Sequence, residues 1–190
     1  MPNVFDVLRK DHEEVKQALA ELESGPTAAT GASPEQQEIR KRLVDQLIIE
    51  ESKHEAVEEE YFWQAVRDKL PDGDQLADEA IEQEQAAKRI LDELMDFDTD
   101  DPRFEDRLST FMADGRAHIS FEEERVWPRM REVLSAEEAD QLGTKIDEGK
   151  KFAPTRPHPA TPPRPGILKT VGKAAAVADR ARDAVTGRGD

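Results

Sequence analysis

Residues 54–63 read His54-Glu55-Ala56-Val57-Glu58-Glu59-Glu60-Tyr61-Phe62-Trp63, and residues 118–127 read His118-Ile119-Ser120-Phe121-Glu122-Glu123-Glu124-Arg125-Val126-Trp127. A histidine, three consecutive glutamates and a tryptophan fall at the same offsets, and Arg67 matches Arg131 four residues further on. The stretches upstream correspond too. His12 is followed by Val15, Leu19 and Leu22, and Glu84 by Ala87, Leu91 and Leu94, at identical steps of three, seven and ten. Apolar residues at steps of three and four line one face of a helix. The chain therefore reads as two helix pairs. Each pair has one ligand-type residue on its first helix and a His-x-x-x-Glu on its second.

Working outward, the helices take bounds. The first spans about 3–23 and ends at Gly25-Pro26. Ser33-Pro34-Glu35-Gln36 opens the second, with serine as N-cap, proline in the first helical position and glutamine three residues on. Pro71-Asp72-Gly73 stops it after about Leu70. The third runs over about 74–95. The fourth follows the acidic break Asp96–Pro102 and reaches about Leu134. Ser135 and Glu138 form a capping box for a short fifth helix ending near Lys150. No segment alternates as a strand does. The fold class predicted is all-α, an up-down-up-down four-helix bundle.

Composition bounds the rest. Of 190 residues 36% are hydrophobic and 37% charged, which supplies one modest core and no more. There are no cysteines, so disulfides, thiolate metal sites and cysteine nucleophiles are excluded. Lys+Arg 27 against Asp+Glu 43 gives −16. The charge is uneven: residues 150–190 hold 9 basic and 3 acidic side chains, leaving 18 against 40 in residues 1–149. A body this acidic does not suit nucleic acid. Six of the 12 prolines also fall in the last segment. The division expected is a bundle over 1–150, a Pro-rich linker over 151–166, and a basic tail over 167–190 with an amphipathic helix at about 167–186. The tail helix should present Ile167, Val171, Ala174, Ala178 and Val185, and dock on the bundle or on a partner. No apolar run spans a membrane and no secretory signal opens the chain, so a cytoplasmic protein is expected.

The spacing of the repeat carries chemistry. Positions i and i+4 of a helix lie on one face a turn apart, so an imidazole and a carboxylate there converge on one ion. Two such pairs facing each other across a bundle hold two metals, with carboxylates free to bridge them. The candidate ligands are His12, His54, Glu58, Glu84, His118 and Glu122. Imidazole mixed with carboxylate suits iron or manganese, with zinc a further option. Glu59, Glu60, Glu123 and Glu124 read as surface residues, whereas His12 and Glu84 interrupt apolar stripes, where an uncompensated charge is costly. A register slip of one would replace Glu84 by Gln85. Trp63 and Trp127 read as packing residues. Ala80 and Ala87 flank Glu84 and either leave space beside the metals or permit close helix packing. Asp96-x-Asp98-x-Asp100 lacks the glycine and glutamate of a calcium loop, and Gly166–Ala174 departs from a phosphate loop in spacing and residues. His158, among prolines, reads as a solvated linker residue.

These motifs resemble the hemerythrin-like, or HHE cation-binding, proteins, whose pattern is His, His-x-x-x-Glu, His, His-x-x-x-Glu over four helices. His12, His54-x-x-x-Glu58 and His118-x-x-x-Glu122 match over about residues 3–135, and the chain departs by placing Glu84 where the family has its third-helix histidine. The resemblance implies a di-iron, carboxylate-bridged centre. By the pseudo-twofold, His12 and His54 belong to one metal, Glu84 and His118 to the other, and Glu58 and Glu122 bridge. Tyr61 and Arg125, one turn beyond the bridges, are candidates for the surrounding shell. The resemblance permits two classes of function: redox chemistry on dioxygen, peroxide or a nitrogen oxide, or non-catalytic oxygen or iron binding and sensing. Family carriers use His-rich sites, whereas three carboxylates here favour ferric iron. The expectation is oxidoreductase chemistry of catalase-like or oxidase-like type.

Overall fold

A computed structural model describes residues 2–161, 166 and 172–188. Helices occupy Val4–Ser24 (α1), Pro34–Val57 (α2), Trp63–Lys69 (α3), Gly73–Asp96 (α4), Pro102–Phe121 (α5), Trp127–Val133 (α6), Ala136–Lys150 (α7) and Lys173–Thr186 (α8). No strand occurs among the described residues. The turns Glu58–Phe62 and Glu122–Val126 are π-helical and carry α2 into α3 and α5 into α6 without a break. Four long rods result, as the periodicity predicts: α1, α2–α3, α4 and α5–α6. They pack as a bundle, with α7 laid across α1 and α2.

The caps explain where the rods begin. Ser33 Oγ accepts from the Gln36 N–H, and the Gln36 side chain accepts from the Ser33 N–H at 2.8 Å, with Pro34 in the first turn. Asp101 caps α5 ahead of Pro102, and Ser135 and Glu138 close the same kind of box on α7. Gly73 starts α4 against the α3 backbone: a Cβ there would sit 2.1 Å from Val66 O, so only glycine allows this return.

Two apolar clusters fill the bundle, and a polar layer separates them. One cluster joins Phe5, Leu8, Phe62, Trp63, Leu76, Trp127 and the α7 residues Leu142 and Ile146. The other joins Leu19, Ile48, Leu91, Phe104 and Phe111. Along α1 the buried residues run Val4, Phe5, Leu8, then Asp11 and His12, then Val15, Leu19, Leu22. Along α4 they run Leu76, Ala77, Ala80, then Glu84 and Lys88, then Ile90, Leu91, Leu94. Burial of that much apolar surface above and below, at about 25 cal/mol per Å², positions charged groups that would not enter a core alone.

The tail differs from expectation. The start of its helix, with Ile167 and Val171, lies outside the described residues. Where α8 is described, Ala174, Ala178 and Val185 face outward, Val185 at 87% exposure, while Ala176, Asp179 and Asp183 are buried. The helix docks by charge instead. Asp183 accepts from Thr155 Oγ1 at 2.5 Å and from Arg156 Nη2 at 2.8 Å, and Asp179 meets His158 Nε2 at 2.9 Å. His158 is therefore a partly buried docking residue, not a solvated one. Arg188 Nε reaches Asp45 of α2 at 3.3 Å, and the Gly166 N–H donates to Glu60 at 2.7 Å. No helix among the described residues is long and apolar enough to cross a membrane.

Candidate metal centre

The polar layer brings the six candidate residues together from all four rods. His12 comes from α1, His54 from α2, Glu84 from α4 and His118 from α5, while Glu58 and Glu122 open the two π-turns. Glu58 and Glu122 are 0% exposed, Glu84 and His12 1%. Donor atoms of His12, His54, Glu58 and Glu122 lie within 4.8 Å of one another, and so do those of Glu58, Glu84, His118 and Glu122. The two sets share Glu58 and Glu122. In the surrounding register Glu84 faces inward, and Gln85 turns aside to donate to Glu59 at 3.1 Å.

The donor set fits a pair of cations. His54 Nε2 stands 3.0 Å from Glu58, His118 Nε2 3.0 Å and His12 Nε2 3.3 Å from Glu122. Yet both oxygens of Glu58 and Glu122, Glu84 Oε2, His12 Nε2 and His118 Nε2 are buried without a hydrogen-bond partner. Buried polar atoms are nearly always satisfied, and carboxylates aimed at one another with no donor between them are what a metal ion compensates. A π-turn is a common device at such sites, and here one begins at each shared glutamate.

A second layer of contacts orients these donors, and it obeys the same pseudo-twofold. Asp11, which precedes His12, meets His54 Nδ1 at 3.2 Å; Gln83, which precedes Glu84, meets His118 Nδ1 at 2.9 Å. An acceptor at Nδ1 fixes the proton there and leaves Nε2 free for a metal. Four residues after each first-helix candidate stands a lysine. Lys16 bonds Glu123 at 2.9 Å, and Lys88 bonds Glu59 at 2.5 Å. Glu123 also takes the His12 Nδ1 at 3.0 Å. Glu59, Glu60 and Glu123, expected at the surface, thus belong to the interior or its edge: lysines neutralise Glu59 and Glu123, and Glu60 accepts from the Gly166 N–H. Glu124 stays exposed. The tryptophans do more than fill space: Trp63 Nε1 donates to Glu84 Oε1 at 2.5 Å, and Trp127 stacks on His12 at 4.8 Å.

The charges divide the two shared carboxyls. Burial, reinforced by Glu122, raises Glu58 above the usual carboxylate range. Burial acts on Glu122 too, but His118 and His12 outweigh it and hold that carboxyl below its ordinary value. Burial, with Glu59 and Glu58 nearby, pushes Glu84 well up. His54 and His118 are raised despite burial, by Glu58 and Asp11 in one case and Glu122 in the other.

The remaining residues singled out from sequence make contacts of other kinds. Arg125 is exposed, bonds Glu79 at 2.9 Å and lies over the Phe121 ring. Tyr61 packs toward α7, its Cε2 2.8 Å from where a Gly149 Cβ would be. Ala80 is packed in the core, whereas Ala87 lines a cavity of about 430 Å³ that opens onto His12, His54, Glu84 and His118.

The chain is similar to known proteins in sequence and in fold. A sequence model of the hemerythrin HHE cation binding domain matches residues 3–130. An uncharacterized hemerythrin-like protein of Schizosaccharomyces pombe is 25% identical over 184 residues, covering 96% of this chain and 86% of its own. A DNA nickase of Nostoc is 26% identical over 148 residues, covering 78% of this chain but only 39% of the nickase. The crystal structure of a hemerythrin HHE cation binding domain-containing protein from Mycobacterium kansasii superposes with a TM-score of 0.66 at 24% identity, over 94% of this chain and 99% of that one.

Proposed function

The chain belongs to the hemerythrin HHE cation-binding family, and we propose that it holds two iron ions and carries out redox chemistry on dioxygen or peroxide, of catalase-like or oxidase-like type. The reading rests on one observation: two donor sets of four share both Glu58 and Glu122. His12 and His54 would hold the first ion, Glu84 and His118 the second, and the shared glutamates both. Iron bound in this way supplies a one-electron couple and a Lewis-acidic position for a small oxygen species.

The protein's own groups do the rest. Asp11, Glu123 and Gln83 hold the three imidazoles in the tautomer that presents Nε2. The two apolar clusters pack above and below the layer, and their low dielectric strengthens the charge interactions within it. Three carboxylates against three imidazoles stabilise the more highly charged ferric state, which favours turnover over reversible carriage. The acidic body opposes a phosphate backbone, so DNA is not the substrate we propose.

Metal analysis and the absorption spectrum of the purified protein test the centre: two irons per chain are expected, with a ferric band lost on reduction. Adding dioxygen to the reduced protein tests the chemistry. Immediate, irreversible oxidation and consumption of added peroxide are expected. A spectrum that reverses on degassing would instead assign non-catalytic oxygen binding, and fewer than two equivalents of metal would remove the two-ion reading.

A further inference from the structure

Arg67 and Arg131 hold the same place in the repeat but have different neighbours. Arg67 Nη1 bonds Asp74 at 3.0 Å and its Nη2 bonds Asp78 at 2.5 Å, so two carboxylates close on that guanidinium. Asp74 and Asp78 stand ten and six residues before Glu84, and the same steps before His12 reach Pro2 and Asp6. The second half therefore lacks one of the two carboxylates. The other, Asp6, does not pair with Arg131, whose guanidinium lies over the Phe5 ring at 4.6 Å. Three residues before the first-helix candidate, Ile81 of one half is Arg9 in the other. Two exposed guanidiniums thus replace one that is satisfied, and among the described residues neither bonds a carboxylate.

Both arginines line one pocket of about 280 Å³ between α1 and α6, with Glu13, Glu123, Trp127 and Pro128 as its other walls. The two glutamates do not answer the arginines, because Lys16 Nζ holds both, at 3.2 Å from Glu13 and 2.9 Å from Glu123. None of the six candidate metal ligands lines this pocket, so it is separate from the cavity that opens onto the metal layer. In a body with 18 basic against 40 acidic side chains, two arginines that face one space without a carboxylate are an exception. A guanidinium presents a planar fork of donors that a carboxylate matches two bonds at a time, and it cannot shed its charge. The volume falls just below the roughly 300 Å³ at which drug-sized pockets begin, which suits a small ligand.

We propose that this pocket binds a small organic carboxylate, its head between Arg9 and Arg131 and its apolar part on Trp127 and Pro128. The head supplies to the second half the charge that Asp74 and Asp78 supply to Arg67. The inference goes beyond the redox reading and does not depend on it. Arg67 also provides the control for testing it. Arg67→Gln removes the same charge as Arg131→Gln, but from a guanidinium whose partners belong to the chain itself.

Calorimetric titration of the full chain with benzoate, benzyl alcohol and benzylammonium, at one ionic strength, varies charge on a fixed ring. Benzoate is expected to bind one site saturably, about tenfold or more tighter than the alcohol, the factor a hydrogen bond to a charged group contributes. Benzylammonium should not bind. Arg9→Gln and Arg131→Gln should each weaken benzoate about tenfold, with circular dichroism unchanged because both side chains are exposed. Arg67→Gln should leave benzoate binding as it is. Equal binding of benzoate and the alcohol, or equal losses in Arg67→Gln and Arg131→Gln, overturns the proposal. Inorganic phosphate bound as tightly as benzoate would overturn it too, by making the site a general anion patch. So would benzoate binding that survives both Arg9→Gln and Arg131→Gln, which would place the anion elsewhere. Repeating the titration on iron-loaded and chelator-treated protein separates this reading from the metal centre. Benzoate binding that depends on Arg131 in a protein that takes up no metal would sustain the pocket and remove the metal centre. Two irons with no benzoate binding at the arginines would do the reverse.

Discussion

Trp63 Nε1 donates to Glu84 Oε1 at 2.5 Å, whereas Trp127, its counterpart in the repeat, stacks on His12 at 4.8 Å with its own N–H unpartnered. The two halves use one residue differently because the facing position differs. An indole N–H needs an acceptor, which a carboxylate offers; against a histidine the ring stacks instead. Trp63 thereby occupies one oxygen of Glu84 and leaves Oε2 for the second ion of the proposed centre. Trp63→Phe keeps the ring and removes that donor. Its second equivalent of iron should bind about ten- to a hundredfold more weakly, the usual effect of losing such a supporting contact. Trp127→Phe removes an N–H that bonds nothing and should leave both equivalents tight. Metal retained against a graded chelator decides the matter, and equal losses in the two variants would contradict this account.

Asp11 links the centre to the fifth helix of the body. Its carboxylate meets His54 Nδ1 on one side and accepts from Lys150 of α7 on the other. Lys150→Met would leave a nearly buried carboxylate without its cation, so stability should fall by about 2 kcal/mol in urea titration. Asp11→Leu should instead cost mainly iron affinity, about ten- to a hundredfold, because His54 loses the acceptor that fixes its tautomer. If both variants moved stability and affinity in the same proportion, the separate roles of the two contacts would be refuted.

Much of this arrangement is legible in the sequence. The steps from His12 and from Glu84 set the register of α1 and α4, and the twin His-x-x-x-Glu placed the polar layer. Other parts were present in the repeat but carried no weight as single residues. Asp11 and Gln83 each precede a candidate ligand, and Lys16 and Lys88 each follow one by four. Read as pairs, they mark contacts that repeat with the pseudo-twofold. The π-turns are invisible there because their effect is a rotation of backbone, not a change of composition. The docking face of the tail is hidden from the sequence for a different reason. Apolar periodicity assumes that a helix docks by its hydrophobic face, and α8 docks through Asp179 and Asp183 because Arg156, His158 and Thr155 await them.

Close approach between α7 and the start of α1 yields a stability prediction. A Cβ on Gly143 would lie 2.2 Å from Pro2 O and 2.6 Å from Val4 N, both backbone atoms that cannot swing aside. Gly143→Ala should therefore destabilise, by about 2 kcal/mol or more, despite the better helix propensity of alanine. For a chain of this size that lowers the melting temperature by about 4–8 °C. A melting temperature equal to or above that of the parent would show that α7 does not seat against Pro2–Val4 as described.

The N-terminal cap of α7 makes stability depend on pH in a defined window. Lys69, and then the Ser135 N–H and hydroxyl, hold the Glu138 carboxyl down to about 2, against an ordinary value of 4.5. A group whose value is depressed on folding stabilises the fold above its unfolded value, and that contribution is lost as pH falls toward the folded one. The Glu138 contribution should thus be complete above about pH 5, decline between 4.5 and 2, and vanish below. Glu138→Gln retains an acceptor for the capping box but cannot pair with Lys69 or titrate. The urea midpoint of the parent should exceed that of the variant at pH 6, and the two should converge as pH approaches 2. Many other carboxylates titrate in the same interval, so the difference between the two proteins carries the test, not the fall of either alone. A difference that stayed constant from pH 6 to pH 2 would mean that the ion pair with Lys69 contributes nothing and that Glu138 acts only as a neutral cap.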